Sequence, residues 1–292
     1  MKTNLGKMKP IEAFPLGLIL SILVMTSYSA FTLSPVLRDP YAVWLFYGKK
    51  IMETRTIPLF YGNALDISWS GNYPPLNSFL AGYYFIILGQ AVTQAFTHIS
   101  WLYGALVLLV TYLLAKELGL GKVALMSTSF LTTSSLFTLE LINYGYVTIA
   151  WSFYTITTCL FLVKLLRERN MSASFSFGLS LGAALLSTYL SFIFLVSLLT
   201  LLIAKAIIKK PSRQKLLLER SKPLIVGFAI AFALITPWLI RNYVLLQNPL
   251  YPWFYELFGG KGIDLVIIRK VPQPRYGLDQ LFIENTFTAM GN

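Results

Sequence analysis

The stretch FSFGLSLGAALLSTYLSFIFLVSLLTLLIA, Phe175–Ala204, decides how this chain is built. It is apolar almost throughout, and cations close it at both ends: Lys164, Arg167 and Arg169 before it, Lys205 and the run to Lys222 after it. A helix crosses the bilayer hydrocarbon with ~20 mostly apolar residues, and Lys and Arg gather on the cytoplasmic side. With both ends cytoplasmic, the stretch crosses twice or not at all. Two short helices suit its about thirty residues, with the break expected near Ser187-Thr188-Tyr189-Leu190-Ser191.

Composition agrees with a membrane protein. Of 292 residues, 56% are hydrophobic and 12% charged, and the mean hydropathy is +0.65. A soluble domain carries about 25% charged residues. The net charge of +12 would suggest nucleic acid in a soluble protein. Here the cations cluster between apolar runs, so they report topology and no nucleic-acid partner is expected. A single cysteine, Cys159, excludes an internal disulfide, and a single histidine, His98, excludes a histidine-based metal cluster.

Four cationic groups set the path: Lys2/Lys7/Lys9, Lys116/Lys122, Lys164/Arg167/Arg169, and Lys205 to Lys222. The chain is expected to leave the cytoplasm through Ile11–Leu33, too long for a signal-peptide core, and to return through Ile99–Leu118. The intervening apolar run Leu76–Phe96 starts at Pro74-Pro75 and contains Asn77, Gln90 and Gln94. It reads as an interfacial or re-entrant helix on the outer side. Lys122–Glu140 then goes out, Tyr144–Val163 returns, Phe175–Ala204 crosses twice, and Pro223–Leu246 exits. The expected architecture is all-α, with about seven transmembrane helices plus interfacial helices in the outer loop 34–98. Residues 1–246 form the membrane module, with its N-terminus cytoplasmic. Residues 247–292 form an extracytoplasmic tail.

On this path most acids fall outside: Asp39, Glu53, Asp66, Glu140, Glu256, Asp264, Asp279 and Glu284. Acids contribute little to orientation, so chemistry at the outer surface is one reason for their placement. Asp39 precedes Pro40, then Tyr41, Trp44, Leu45, Ile51 and Met52 at helical spacing, with Lys49, Lys50 and Glu53 opposite. That predicts an amphipathic interfacial helix. Asp39 is either its N-cap or a catalytic acid, and the two roles are compatible. ELINYGY, Glu140–Tyr146, places a carboxylate, the Asn143 amide and phenols including Tyr144 at the outer end of a helix. Glu140 is either functional or merely snorkels to water. Arg241 lies near the outer end of the last helix, against the cytoplasmic bias. It either grips a phosphate or snorkels. Tyr251-Pro252-Trp253 is a rigid aromatic turn, a platform for sugar or lipid or a membrane-surface anchor.

Several site types are not expected. There is no Asp-x-Asp pair, Gly119-Leu120-Gly121-Lys122 lacks the phosphate-loop spacing, and the chain reads as having no Gly-x-Ser-x-Gly nucleophile elbow. The carboxylates are able to hold a divalent metal ion, though no spacing demands one.

In this order, the pieces resemble the GT-C fold of polyprenol-phosphate-sugar-dependent glycosyltransferases, nearest the protein O-mannosyltransferases and lipid A aminoarabinose transferases. The likeness is carried by Asp39 with its amphipathic follower, Tyr73-Pro74-Pro75-Leu76, NYGYVTIAWSFY (Asn143–Tyr154), SLGAALLSTY, PWLIRNY and NPLYPWFY. It runs from about Lys9 to Tyr255. The chain departs from the family at Thr148, where relatives commonly have Asp, and at Thr188, where they often have Lys.

The resemblance implies transfer of a sugar from a polyprenyl-phosphate donor to an acceptor hydroxyl on protein, lipid or polysaccharide, at the outer face of a cell membrane. Asp39 matches the family's first-loop acid, which deprotonates the acceptor; Glu140, eight residues before Thr148, is the carboxylate nearest the position where relatives have Asp and the second catalytic candidate. Arg241, assisted by Lys49 or Lys50, would neutralise the departing phosphate. Tyr73, Asn143 and Tyr144 complete the expected donor contacts. A GT-C-shaped protein that binds lipid-linked sugar without catalysis is the alternative. A transporter is disfavoured, because no inverted repeat is found and Glu140 and Arg241 fall near helix ends.

Overall fold

Two helices of this protein touch through their glycines. The computed structural model describes residues 10–32, 44–57, 73–120, 147–208, 214–251 and 253–260. These form helices α1 (Pro10–Thr32), α2 (Phe46–Thr54), α3 (Leu76–Leu88), α4 (Ala95–Glu117), α5 (Val147–Glu168), α6 (Met171–Ser187), α7 (Leu190–Ile208), α8 (Gln214–Leu246) and a short α9 (Tyr255–Phe258). No strand occurs among the described residues.

The break inside Phe175–Ala204 falls where the sequence predicts it. Asn170 starts α6 by accepting the Ala173 amide at 2.7 Å, an N-cap. At the other end Ser187 and Ser191 both turn their hydroxyls onto the Ala184 carbonyl. Such side chains compete with the helical ladder. Thr188 is extended, at φ −162° and ψ 152°, and α7 begins two residues later.

Helices α6 and α8 pack with their backbones close together. A methyl at Gly178 would lie 2.5 Å from the Gly227 carbonyl oxygen, and one at Gly182 would lie 2.5 Å from Leu234 Cδ1. In lipid no hydrophobic force drives helices together, and small residues that let backbones approach take its place. The letters Gly-x-Ser-x-Gly do occur here, at Gly178-Leu179-Ser180-Leu181-Gly182, contrary to the sequence reading. They lie within a helix, and the buried Ser180 hydroxyl donates to the Phe177 carbonyl at 3.0 Å, so they make no nucleophile elbow. Phe177, Leu181, Leu185, Ala231, Ile235 and Trp238 form the core of this contact, with Leu195 and Leu198 of α7 against it.

The pairings give each helix a direction. Arg167 at the end of α5 bonds Glu117 at the end of α4, at 3.0 Å, and the Tyr103 and Tyr154 hydroxyls meet at 2.6 Å, so α4 and α5 run parallel. Helix α6 turns back from α5, and α8 runs alongside α6. The Thr97 hydroxyl donates to the Ala30 carbonyl at 2.7 Å, and Trp101 Nε1 donates to the Leu23 carbonyl at 3.2 Å. Thus α1 ends beside the start of α4. One end of the bundle carries Lys116, Arg167 and Arg169. The other gathers the ends of α1, α6 and α8 and the starts of α4, α5 and α7.

Helix α3 has 13 residues, about 20 Å, short of the ~30 Å hydrocarbon. The sequence reading carried it to Phe96; it stops at Gly89, whose φ of 70° suits the residue without a Cβ. Its first turn is tied to Ser187, and after its last residue the chain reaches α4 within a few residues. Both its ends therefore sit at the same end of the bundle, and α3 lies across it, with α2 packed on it through Gly48 and Ala81. Among the described residues three helices are long and apolar enough to cross a membrane, Ala95–Glu117, Val147–Glu168 and Ser221–Leu246, with shorter apolar helices beside them. Seven crossings were expected; the outward run Lys122–Glu140 lies outside the described residues.

Candidate functional site

The site is built at the end of the bundle away from Lys116 and Arg167. Helix α8 brings Trp238, Arg241 and Asn242 there, at i, i+3 and i+4, one face of a helix. The guanidinium of Arg241 lies over the Trp238 ring, 4.5 Å from its centroid, a cation–π contact. It also donates to Asn242 Oδ1 at 2.8 Å. Trp238 and Asn242 are buried, while Arg241 is half-buried.

Tyr189, from the α6–α7 break, is the centre of the cluster and is 2% exposed. Its hydroxyl accepts from Asn242 Nδ2 at 3.1 Å and donates to the Tyr251 carbonyl at 2.9 Å. Burial pushes its phenol well above the ordinary tyrosine range; it stays protonated. Its ring meets Tyr73 edge-on at 5.6 Å and Trp253 at 5.6 Å, and Tyr73 stacks on Trp44 at 6.3 Å. Four aromatic rings from four separate segments of chain thus converge.

Buried amides hold the loops that supply them. Asn248 is fully buried. Its Oδ1 accepts the Leu250 amide at 3.0 Å, and its Nδ2 donates to the Trp253 and Gly259 carbonyls at 3.0 and 3.1 Å. This turns the chain after α8 back over the site. Tyr251 is fully buried, so it packs inside the site. On the other side, Asn77 ties the Tyr73-Pro74-Pro75 turn to Ser187, at 3.0 Å.

An open groove of about 700 Å³ lies along the exposed face of α8 around Arg241, lined by Ala233, Thr236, Pro237, Ile240, Val244 and Leu245. Pro237 removes one amide from the helical ladder, and Thr236 turns its hydroxyl back onto the Phe232 carbonyl. The wall is otherwise hydrocarbon.

Of the residues expected from sequence, Tyr73 and Arg241 are brought to this one site, linked through Tyr189. Lys49 and Lys50 pair with Glu53, at 3.7 and 3.0 Å, on the exposed side of α2. Asp39, Glu140, Asn143 and Tyr144 lie outside the described residues. Thr148 stands in the first turn of α5. No group of three or more His, Cys, Asp or Glu side chains suited to a metal occurs among the described residues. Sequence reasoning passed over Tyr189 and Asn242. The signals were present: a tyrosine inside the break of an apolar run, and an amide next to an arginine deep in a last helix.

Residues 72–240 match the dolichyl-phosphate-mannose-protein mannosyltransferase family, more than half of the chain, and the protein belongs to that family. It is a membrane glycosyltransferase of the GT-C class. The match begins at the Tyr73 turn and stops one residue before Arg241. No curated protein and no solved structure matches the chain.

Proposed function

We propose that this protein moves a sugar from a polyprenyl-phosphate donor to an acceptor hydroxyl at the extracytoplasmic face of the membrane. The observation that carries the reading is the junction of Arg241 with the α8 groove. A guanidinium stands within an open apolar groove on the exposed face of α8 and beside a cluster of aromatic rings. A polyprenyl-phosphate sugar has three matching parts: an isoprenoid tail, a phosphate and a sugar ring. The tail suits the groove, the phosphate the guanidinium, and the sugar the aromatic cluster.

Cation placement supports the extracytoplasmic face. The site sits at the end of the bundle away from Lys116, Arg167 and Arg169, and Lys and Arg mark the cytoplasm.

In the reaction, the acceptor oxygen attacks the anomeric carbon and its proton passes to a carboxylate. The bond from that carbon to the phosphate oxygen breaks, and its electron pair stays on the phosphate. Arg241 stabilises that gathering charge. Asp39 is the proposed base, a role worth about 10²–10⁴-fold. Glu140, Asn143, Tyr144 and Tyr73 are proposed to line the donor's sugar side. Lys49 and Lys50 share the Glu53 carboxylate on α2, and Arg241 is the proposed principal phosphate contact.

The test is to incubate the purified protein in lipid with a panel of radiolabelled polyprenyl-phosphate sugars. Release of sugar by the wild type, and its loss in Arg241→Ala, is the expected result. Absence of release across the panel overturns the reading.

A further inference from the structure

The strongest unassigned feature is the set of hydrogen bonds behind Arg241. We propose that Asn242 and Tyr189 are positioning residues that aim the Arg241 guanidinium at the donor phosphate. This rests on the reading of Arg241 as the phosphate contact.

The direction of every bond in the set is forced. A guanidinium only donates, so the oxygen of the Asn242 amide must face Arg241, at 2.8 Å. The amide nitrogen then faces Tyr189 and donates to its hydroxyl oxygen, at 3.1 Å. That leaves the single hydroxyl hydrogen of Tyr189 for the Tyr251 carbonyl, at 2.9 Å. The series Arg241, Asn242, Tyr189, Tyr251 carbonyl has one proton arrangement and ends on main chain. Asn242 and Tyr189 are 0% and 2% exposed, so water cannot substitute for either partner, and buried polar networks of this kind hold one geometry.

What is joined is as telling as how. Tyr189 comes from the α6–α7 break, Asn242 from the last turns of α8, and Tyr251 from the turn held by Asn248. The guanidinium lies against Trp238 on one side and bonds the amide on another. Its remaining freedom is small, and a phosphate held by a preorganised fork costs less ordering entropy than one held by a free arginine.

Tyr189→Phe removes one oxygen and keeps the ring contacts to Tyr73 and Trp253. The assay is titration with a short-chain polyprenyl phosphate in detergent micelles, beside steady-state kinetics with the sugar-bearing donor. Tyr189→Phe is expected to raise the Kd for the phosphate, and the donor KM, by about three- to tenfold, with kcat changed less than the KM. In an Arg241→Ala background the same substitution is expected to add nothing. Asn242→Asp places a carboxylate on the guanidinium, and it is expected to weaken the phosphate about as much as Arg241→Ala does. Asn242→Asp also serves if Tyr189→Phe fails to fold, as judged by its thermal unfolding midpoint.

Four results would overturn the assignment. If Arg241→Ala weakens the phosphate and Tyr189→Phe does not, or if the two effects simply add, the positioning role falls alone. If Asn242→Asp binds the phosphate as tightly as wild type, it falls likewise. If Arg241→Ala leaves the titration unchanged, the phosphate reading of Arg241 falls and the positioning role falls with it.

Discussion

The side-chain amide of Asn77 donates to the main-chain oxygen of Ser187 at 3.0 Å, joining the first turn of α3 to the last residue of α6. The last carbonyls of a helix have no partner within it, and both residues here are buried. Asn77 therefore closes the end of α6 at the point where Tyr189 must be presented.

Asn77→Ala removes that donor, and a buried acceptor left without one costs about 1–3 kcal/mol. Asn77→Asp is expected to be worse, because it points a carboxylate oxygen at a carbonyl oxygen. Thermal unfolding in detergent should rank wild type above Asn77→Ala, and Asn77→Asp last. An aspartate variant as stable as wild type would show that the amide does not hold this joint.

The glycines of α6 make a sharper comparison. Gly178→Ala drives a methyl onto the backbone oxygen of Gly227, whereas Gly182→Ala meets chiefly the tip of the Leu234 side chain, each at 2.5 Å. A side-chain tip swings aside; a helix backbone has to move as a body. Overpacking costs typically 1–3 kcal/mol, and Gly178→Ala is expected to take most of that while Gly182→Ala takes little. The unfolding midpoints of the two single variants check this, and equal losses would contradict the backbone contact.

Much of this fold is legible in the sequence because lipid imposes simple rules. The break at Thr188, the start of α3 after Pro74-Pro75, and the ends of α4 and α8 follow from apolar length, proline and cation placement, whereas α4 starts at Ala95, before the expected Ile99, and α8 at Gln214, before the expected Pro223. Gly89 was less readable: one glycine in an apolar run does not reveal that the helix turns there. The site was half legible. Arg241 is conspicuous as a cation at the wrong end of a span. Tyr189 and Asn242 are not, since their importance lies in contacts across fifty or more residues, which no local pattern encodes. Lys49 and Lys50 looked available in sequence, and only their geometry shows Glu53 occupying both.

That Lys49–Glu53–Lys50 group gives a pH expectation. The hydrogen bond from Lys50 holds the Glu53 carboxyl below its ordinary range, with the charges of both lysines adding to it. A carboxyl whose folded value is lowered stabilises the fold above its unfolded value, and the benefit is lost as pH falls through the folded one. Wild type should thus exceed Glu53→Gln in unfolding midpoint at neutral pH, with the gap closing below about pH 4. The gap will be small and will shrink with added salt, because the group is exposed. A gap that survives strong acid would mean Glu53 acts through packing.

Asp39 and Arg241 should separate by the constant each one moves. Asparagine caps a helix as well as aspartate does, so Asp39→Asn keeps any structural role and removes only the base. The expected outcome is a fall in kcat of about 10²–10⁴-fold, with the affinity for a short-chain polyprenyl phosphate unchanged. Arg241→Lys keeps the charge but loses the planar fork and its stacking on Trp238, and those are what distinguish the two cations. Its effect should appear in phosphate affinity, by roughly tenfold or more, since a hydrogen bond to a charged group contributes about 1.5–3 kcal/mol. Titration and turnover measured on the same preparations read the two constants independently. If Asp39→Asn turns over as wild type does, the base lies elsewhere; if Arg241→Lys binds phosphate as tightly as wild type, a point charge suffices and the fork has no role.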